Sequence, residues 1–297
     1  MLKRKVTSGT ISIHTFFILF SLCFVLPFLL VVSISLSNEE AVLKSGYSLL
    51  PKNFDFTAYQ YVFANPAQLK DSYMVTGFTA IAGTFLSLLI MALIAYPLSR
   101  RDFFIKKQLT FFIFFTMLFG GGLIPTYILI TQYLGMGDSI WVYIFPSLVS
   151  AWYIIILRTF FQSLPVALVE SAKIDGASEF RIFFQIIIPL SKPVLATVAL
   201  FTLLNKWNDW YTSLIYIRSK ELYTLQFLLQ RILRDAQFVK DMSRYVPLGI
   251  DIGSMKESPL ETMKFAMCIN AAGPMLLVFP FFQKYFTKGL TVGAVKG

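Results

Sequence analysis

Three stretches of this chain, residues 11–36, 72–99 and 108–137, contain no Asp, Glu, Lys or Arg. A helix needs roughly 20 consecutive apolar residues to cross the hydrocarbon core of a bilayer, and each stretch is longer than that. Residues 139–157 follow after the single charge of Asp138, and residues 265–283 close the series. Residues 193–217 are also long enough, but Lys206 and Asp209 interrupt them. The expected architecture is all-α and polytopic, with six transmembrane helices near 11–36, 73–98, 109–131, 139–160, 193–217 and 266–286. Only 14% of the residues are charged, against about 25% in soluble domains, so the chain lacks the polar groups to cover a water-facing surface. With 31 Phe and 14 Tyr it is far too aromatic for a disordered chain. Cys23 and Cys268 lie far apart in apolar runs, which excludes a disulfide framework or a Cys-based zinc site, and the single His14 excludes any two-His metal motif.

Charge sets the orientation. With a cytoplasmic N-terminus, the inner segments are 1–10, 99–108, 158–192 and 287–297, with the adjoining helix ends. They carry fourteen bases, from Lys3, Arg4 and Lys5 to Lys284, Lys288 and Lys296, against the four acids Asp102, Glu170, Asp175 and Glu179. The outer segments balance, and Lys206 and Asp209 cancel within their span, so the whole net charge of +10 falls on one side. That is the positive-inside asymmetry, and no nucleic-acid partner is needed to explain it. The expected location is the inner (cytoplasmic) membrane, multi-pass, with both termini inside. The N-terminal apolar run is about twice the length of a signal-peptide h-region, so it is expected to remain as helix 1. One transmembrane domain over 1–297 is expected, with 11–36 an additional N-terminal helix and 73–286 the core. The outer loop 37–71 reads as an ordered lobe. In the stretch 218–264, Leu222, Leu225, Leu228, Leu229, Ile232 and Leu233 fall at helical spacing, either a surface-lying amphipathic helix or a platform for an external partner.

The inner loop 158–192 is polar enough to leave the membrane and is closely patterned. Ser163-Leu164-Pro165 reads as a helix start, a short helix runs to about Ile174, and Gly176 supplies a turn. Ser178 is a natural N-cap, after which Phe180, Phe183, Phe184 and Ile187 form one apolar stripe. The spacing predicts a helix–turn–helix that either packs on the bundle's own end or enters a partner's groove.

Glu170-Ser171-Ala172, three residues, Gly176, nine residues, Ile186, one residue, then Ile188-Pro189 resembles the EAA loop of ABC importer permeases. Ser171 replaces that family's first Ala, and Ile188 its Leu. The likeness extends along the chain, through Gly121-Gly122-Leu123-Ile124-Pro125-Thr126-Tyr127, Arg158-Thr159-Phe160-Phe161-Gln162, Trp207-Asn208-Asp209-Trp210 and Leu222-Tyr223-Thr224-Leu225-Gln226. These resemble the second permease subunit of importers for pectin- and alginate-derived oligosaccharides. The resemblance implies a type I importer transmembrane domain that works with a second, homologous permease, an ATPase dimer and an extracellular or periplasmic solute-binding protein. It implies that Glu170, Ser171, Ala172, Asp175, Gly176, Ile186 and Pro189 couple to the ATPase. No G-x-x-x-x-G-K-[ST] occurs in the chain, so no cofactor is expected here, ATP and Mg being held by the partner ATPase.

Lys206 and Asp209, three apart on one expected helix, read as an internal ion pair with interfacial Trp anchors. They read equally as part of a sugar path with Trp207, Asn208, Trp210 and Tyr127, where indole faces and amide donors suit an oligosaccharide. Lys206 and Arg218 would suit an acidic one. Two other classes compete: an ion-coupled secondary transporter, which ordinarily shows repeats and more intramembrane charges, and an intramembrane aspartyl protease, suggested by Gly135-x-Gly137-Asp138. The latter lacks a Tyr-Asp partner motif, and a tight turn explains the same residues. Gly120-Gly121-Gly122 reads as a bend or packing point within the third span.

Overall fold

The computed structural model describes residues 8–245 and 259–294. The bases Lys3, Arg4, Lys5 and Lys296, on which part of the orientation rests, lie outside them. Every regular element among the described residues is helical, apart from one isolated bridge between Ser37 and Phe54. Three helices are long and apolar enough to cross a membrane, and three further bent pairs raise the number to six if each pair is one span. The fold is all-α, as the charge-free runs require. Contacts divide the chain into two compact units, Met1–Pro66 with Leu229–Pro274, and Ala67–Leu228 with Met275–Gly297.

In the first unit, α1 (Ser8–Ser35) is exposed on every face from residue 9 to 28 and becomes buried only at its last turn. There Ser35 Oγ shares a hydrogen bond of 3.0 Å with the Tyr59 hydroxyl. The loop that follows is ordered, as its composition suggests, around two short helices, α2 (Glu39–Ser45) and α3 (Thr57–Val62). Asn38 caps α2 and donates to Asp55, and Asp55 accepts from the backbone and hydroxyl of Thr57 at the start of α3. The Glu39 carboxylate accepts from Glu261 N and from the Thr262 amide and hydroxyl. It thereby satisfies donors that the first turn of the last helix (Leu260–Ala294) leaves open.

The second unit opens with α4 (Pro66–Ser99), whose Met91, Ala92, Ala95 and Leu98 enter a core with α7 (Ala151–Gln162) and α11 (Lys192–Trp207). Between these lie α5 (Lys106–Leu118), none of whose residues is buried, and α6 (Leu123–Ile128). The third expected span is not one helix. It breaks after Leu118 and turns through 112° before Leu123, with Gly122 at φ +82°, a backbone state open mainly to glycine. The triple glycine is therefore a bend. The fourth span begins as two turns of 3-10 helix, Ile140–Tyr143 and Phe145–Ser147, and bends by 49° into α7. The fifth is corrected most: α11 stops at Trp207, and a separate α12 (Tyr211–Tyr216) follows. The residues at 225–245 form α13 (Leu225–Tyr245), with Leu225, Leu228 and Leu229 buried and Arg234 and Asp235 exposed.

Candidate functional site

The patterned inner loop folds as the spacing demands. Pro165 immediately precedes α8 (Val166–Ile174), and Gly176 follows it at φ +74°. Ala177 N reaches back to Ala172 O at 2.9 Å and Gly176 N to Lys173 O at 3.0 Å, the pair of bonds that closes a helix in a left-handed C-terminal turn. A Cβ added at Gly176 would meet nothing within 4 Å, so glycine is needed there for its backbone alone. Ser178 then caps α9 (Glu179–Ile182) through a 3.4 Å bond from Arg181 N to its hydroxyl. The helix continues through a π-helical turn, Phe183–Ile187, to α10 (Ile188–Leu190).

The expected apolar stripe divides. Phe183 and Ile187 are buried with Val169 and Ile182, whereas Phe180 and Phe184 are 72% and 50% exposed. Ile174, at the hairpin's tip, is 85% exposed. Of the seven positions expected to couple, Ser171, Ala172, Asp175, Ile186 and Pro189 line one open groove of 420 Å³, with Leu168, Gln185 and Leu190. Gly176 makes the turn beside it. Glu170 lines a separate hollow of 560 Å³ with Arg100, Arg101 and Lys106, and its exposed carboxylate has no polar partner among the described residues.

Sequence reading missed what ties this hairpin to α4. The Tyr96 hydroxyl donates to Glu179 Oε2 at 2.7 Å, and Lys173 Nζ lies 2.7 Å from Glu179 Oε1 and 3.3 Å from Asp102 Oδ2. Arg100 stands 3.3 Å from Asp102 Oδ1. Partial burial pushes the Glu179 carboxyl up, but the bonds from Lys173 and Tyr96 outweigh it and hold it below its ordinary value. Its bond to Glu179 raises Lys173. Residues this far apart in sequence carry no shared spacing that could have revealed the network.

Of the expected path residues, only Lys206 and Asp209 share a cavity. Because α11 ends at Trp207, Lys206 and Asp209 share no helix face and form no ion pair. Lys206 Nζ instead donates to Ser147 Oγ at 2.7 Å and Tyr143 O at 3.3 Å, while Asp209 Oδ1 accepts from Thr212 N in the first turn of α12. Both line a cavity of 290 Å³ with Ser87, Met91, Ser147, Leu148, Ser150, Trp152, Tyr153, Thr202 and Asn205. Trp207 is buried in the core, Asn208 is exposed and accepts from Gln226, Trp210 packs near Ile217 and Tyr223, and Tyr127 stacks on Tyr216.

Asp138 is a staple. Its φ is +54°, and its carboxylate accepts from Arg218 N, Ser219 N and the Ser219 hydroxyl at 2.7–2.9 Å. The Ser219 and Arg218 bonds hold its carboxyl below the ordinary value. A proteolytic dyad needs two carboxylates sharing a proton, and this one is committed to backbone donors. Among the described residues no cluster of His, Cys, Asp and Glu could hold a metal.

The family described as binding-protein-dependent transport system inner membrane component matches residues 13–292, and the chain belongs to it. The chain is 40% identical over 286 residues to the polygalacturonan/rhamnogalacturonan transport system permease protein YtcP of Bacillus subtilis, covering 96% of this chain and 97% of that one. It is 30% identical over 295 residues to the arabinooligosaccharides transport system permease protein AraQ of the same organism, covering 97% and 96%. It resembles a chain in the crystal structure of a bacterial ABC transporter involved in the import of the acidic polysaccharide alginate, with a TM-score of 0.77 at 28% identity over 96% of this chain and 99% of that one. The protein is thus a multi-pass membrane permease subunit of an ABC importer for sugars or oligosaccharides, and not an enzyme. That removes the secondary-transporter and protease readings.

Proposed function

We propose that this subunit forms half of a heterodimeric channel that moves acidic, uronate-type oligosaccharides into the cell by alternating access, driven by ATP. The observation that carries the coupling half of this reading is the hairpin. A rigid left-handed turn at Gly176 presents an exposed Ile174 and a groove built from five of the expected coupling residues, a shape suited to a partner that accepts a short helix. The ATPase dimer is that partner, holding ATP and Mg, and the chain needs no cofactor of its own. In this reading the chain has six spans and both termini in the cytoplasm, and the hairpin faces the ATPase. A solute-binding protein delivers the sugar from outside, and a second, homologous permease covers the apolar faces this chain leaves open. Glu170, without a polar partner among the described residues, accepts charge-assisted hydrogen bonds from the ATPase. The acidic substrate is supported by the YtcP and alginate-importer likenesses and by the buried Lys206.

The test uses the complete importer in proteoliposomes. Gly176→Val forces a β-branched residue into positive φ, at about 1–2 kcal/mol, and Glu170→Arg reverses the contact charge. Both are expected to reduce uptake and ligand-stimulated ATP hydrolysis by at least about tenfold, while the permease still inserts. Glu170→Arg also weakens ATPase co-purification. Wild-type uptake by both variants overturns the coupling role.

A further inference from the structure

Two buried hydroxyls in the Lys206 cavity have no hydrogen-bond partner among the described residues. A Ser or Thr inside a helix ordinarily bonds the carbonyl one turn back, as Thr79 does to Val75 O and Thr197 to Pro193 O. Ser87 Oγ on α4 and Thr202 Oγ1 on α11 do neither this nor anything else among the described residues, although Ser87 is 0% and Thr202 7% exposed. Both line the 290 Å³ cavity. Buried polar groups are almost always satisfied, and each exception calls for a missing partner.

Lys206 makes the same demand more strongly. Its ammonium carries three donors, of which Ser147 and the Tyr143 carbonyl take two. Among the described residues no carboxylate forms an ion pair with it. Its stem is also confined, because a Cβ at Gly83 would come within 2.8 Å of its Cδ and Cε. A buried cation with no carboxylate in contact is costly, Asp209 across the cavity offsetting only part of the charge, unless an anion arrives. The rest of the wall has the remaining parts of a sugar site. Trp152 and Asn205 are exposed at the rim, so the cavity reaches the surface. Trp152 and Tyr153 offer aromatic faces, Asn205 donates to the Tyr153 hydroxyl at 3.5 Å, and Asp209 Oδ2 is free to accept.

We infer that this cavity is a subsite for one ring of an anionic sugar, its carboxylate on Lys206 and its hydroxyls on Ser87, Thr202, Asn205 and Asp209, with Trp152 or Tyr153 against its apolar face. The inference rests on the importer reading and names residues for substrate contact in this subunit. A neutral ring would fill the space and leave the ammonium unpaired.

The test measures equilibrium binding of trigalacturonate, and of its carboxyl-reduced neutral counterpart, to the solubilised complete importer without the binding protein. Wild type is expected to prefer the acidic probe. Lys206→Gln weakens that probe by about tenfold and abolishes the preference. Thr202→Val is nearly isosteric and removes an orphaned polar group, so a merely structural threonine would tolerate it without loss. The inference expects weaker binding of both probes by several-fold. Should Lys206→Gln fail to assemble with the ATPase, Thr202→Val decides alone. Unchanged binding by Thr202→Val means that the cavity holds only water and overturns the inference. Binding-protein-driven uptake by wild type tests the parent reading separately: its absence overturns that reading, whereas uptake with unaltered binding by the variants overturns the subsite alone.

Discussion

At the residue scale, two positions with positive φ carry different information. Gly176 was legible in the sequence because a glycine between a helix end and a Ser N-cap implies one particular turn, and the backbone bonds of Ala177 and Gly176 realise it. Asp138 was legible only as a turn residue. What the sequence hid was its partner, because Ser219 lies 81 positions away. Replacing Asp138 by Ala removes three hydrogen bonds while keeping the φ strain, and is expected to destabilise the subunit by about 1 kcal/mol in this exposed setting. Asp138→Asn, which keeps acceptors for the two amides, is expected to lose less. Thermal unfolding of the purified importer, followed by tryptophan fluorescence, distinguishes the two. The bond also has a pH sense: a carboxyl held below its ordinary 3.8 contributes stability above that value and loses it as pH falls through the lowered one.

At the scale of elements, apolar runs located the spans but not their breaks. Periodicity reports which residues avoid water, and a bent helix avoids water as well as a straight one. Hence the 112° turn before Leu123 and the stop at Trp207 appeared only in the structure. Lys206 was recognisable as unusual, but its true partners, Ser147 and Tyr143, depended on a helix end that composition does not mark. The network joining α4 to the hairpin yields a prediction of its own. The Glu179 carboxyl lies below its ordinary 4.5, so its contribution is present above pH 4.5 and disappears as pH falls through the lowered value. Lys173 lies above its ordinary 10.5, so its contribution is full below 10.5 and lost as pH rises through the raised value. The tie is therefore intact across the range between, where it is worth about 1 kcal/mol after solvent screening. Tyr96→Phe and Glu179→Gln are expected to speed hydrogen exchange of the α8 and α9 amides severalfold at neutral pH. Equal exchange in wild type and both variants would show that the hairpin is held by its buried Val169, Ile182 and Phe183 alone.

For the molecule as a whole, charge asymmetry predicted an orientation that helical geometry by itself does not test. A single cysteine placed at Glu170, in a chain whose exposed Cys23 and Cys268 are changed to Ser, is expected to react with a membrane-impermeant maleimide only from the cytoplasmic side. A cysteine at Leu50, which is exposed in the ordered loop, should react only from outside. Reversed labelling would invert the topology and remove the hairpin from any ATPase.

The nearly bare first helix has a consequence beyond structure. From residue 9 to 28, α1 is exposed on every face, so most of it gains nothing from the folding of its own polypeptide. Lipid tails are as apolar as its Phe16, Phe20 and Phe24, so the rod is at home in the bilayer without a protein neighbour. Shortening it should cost anchorage in the membrane rather than the thermal stability of the folded core.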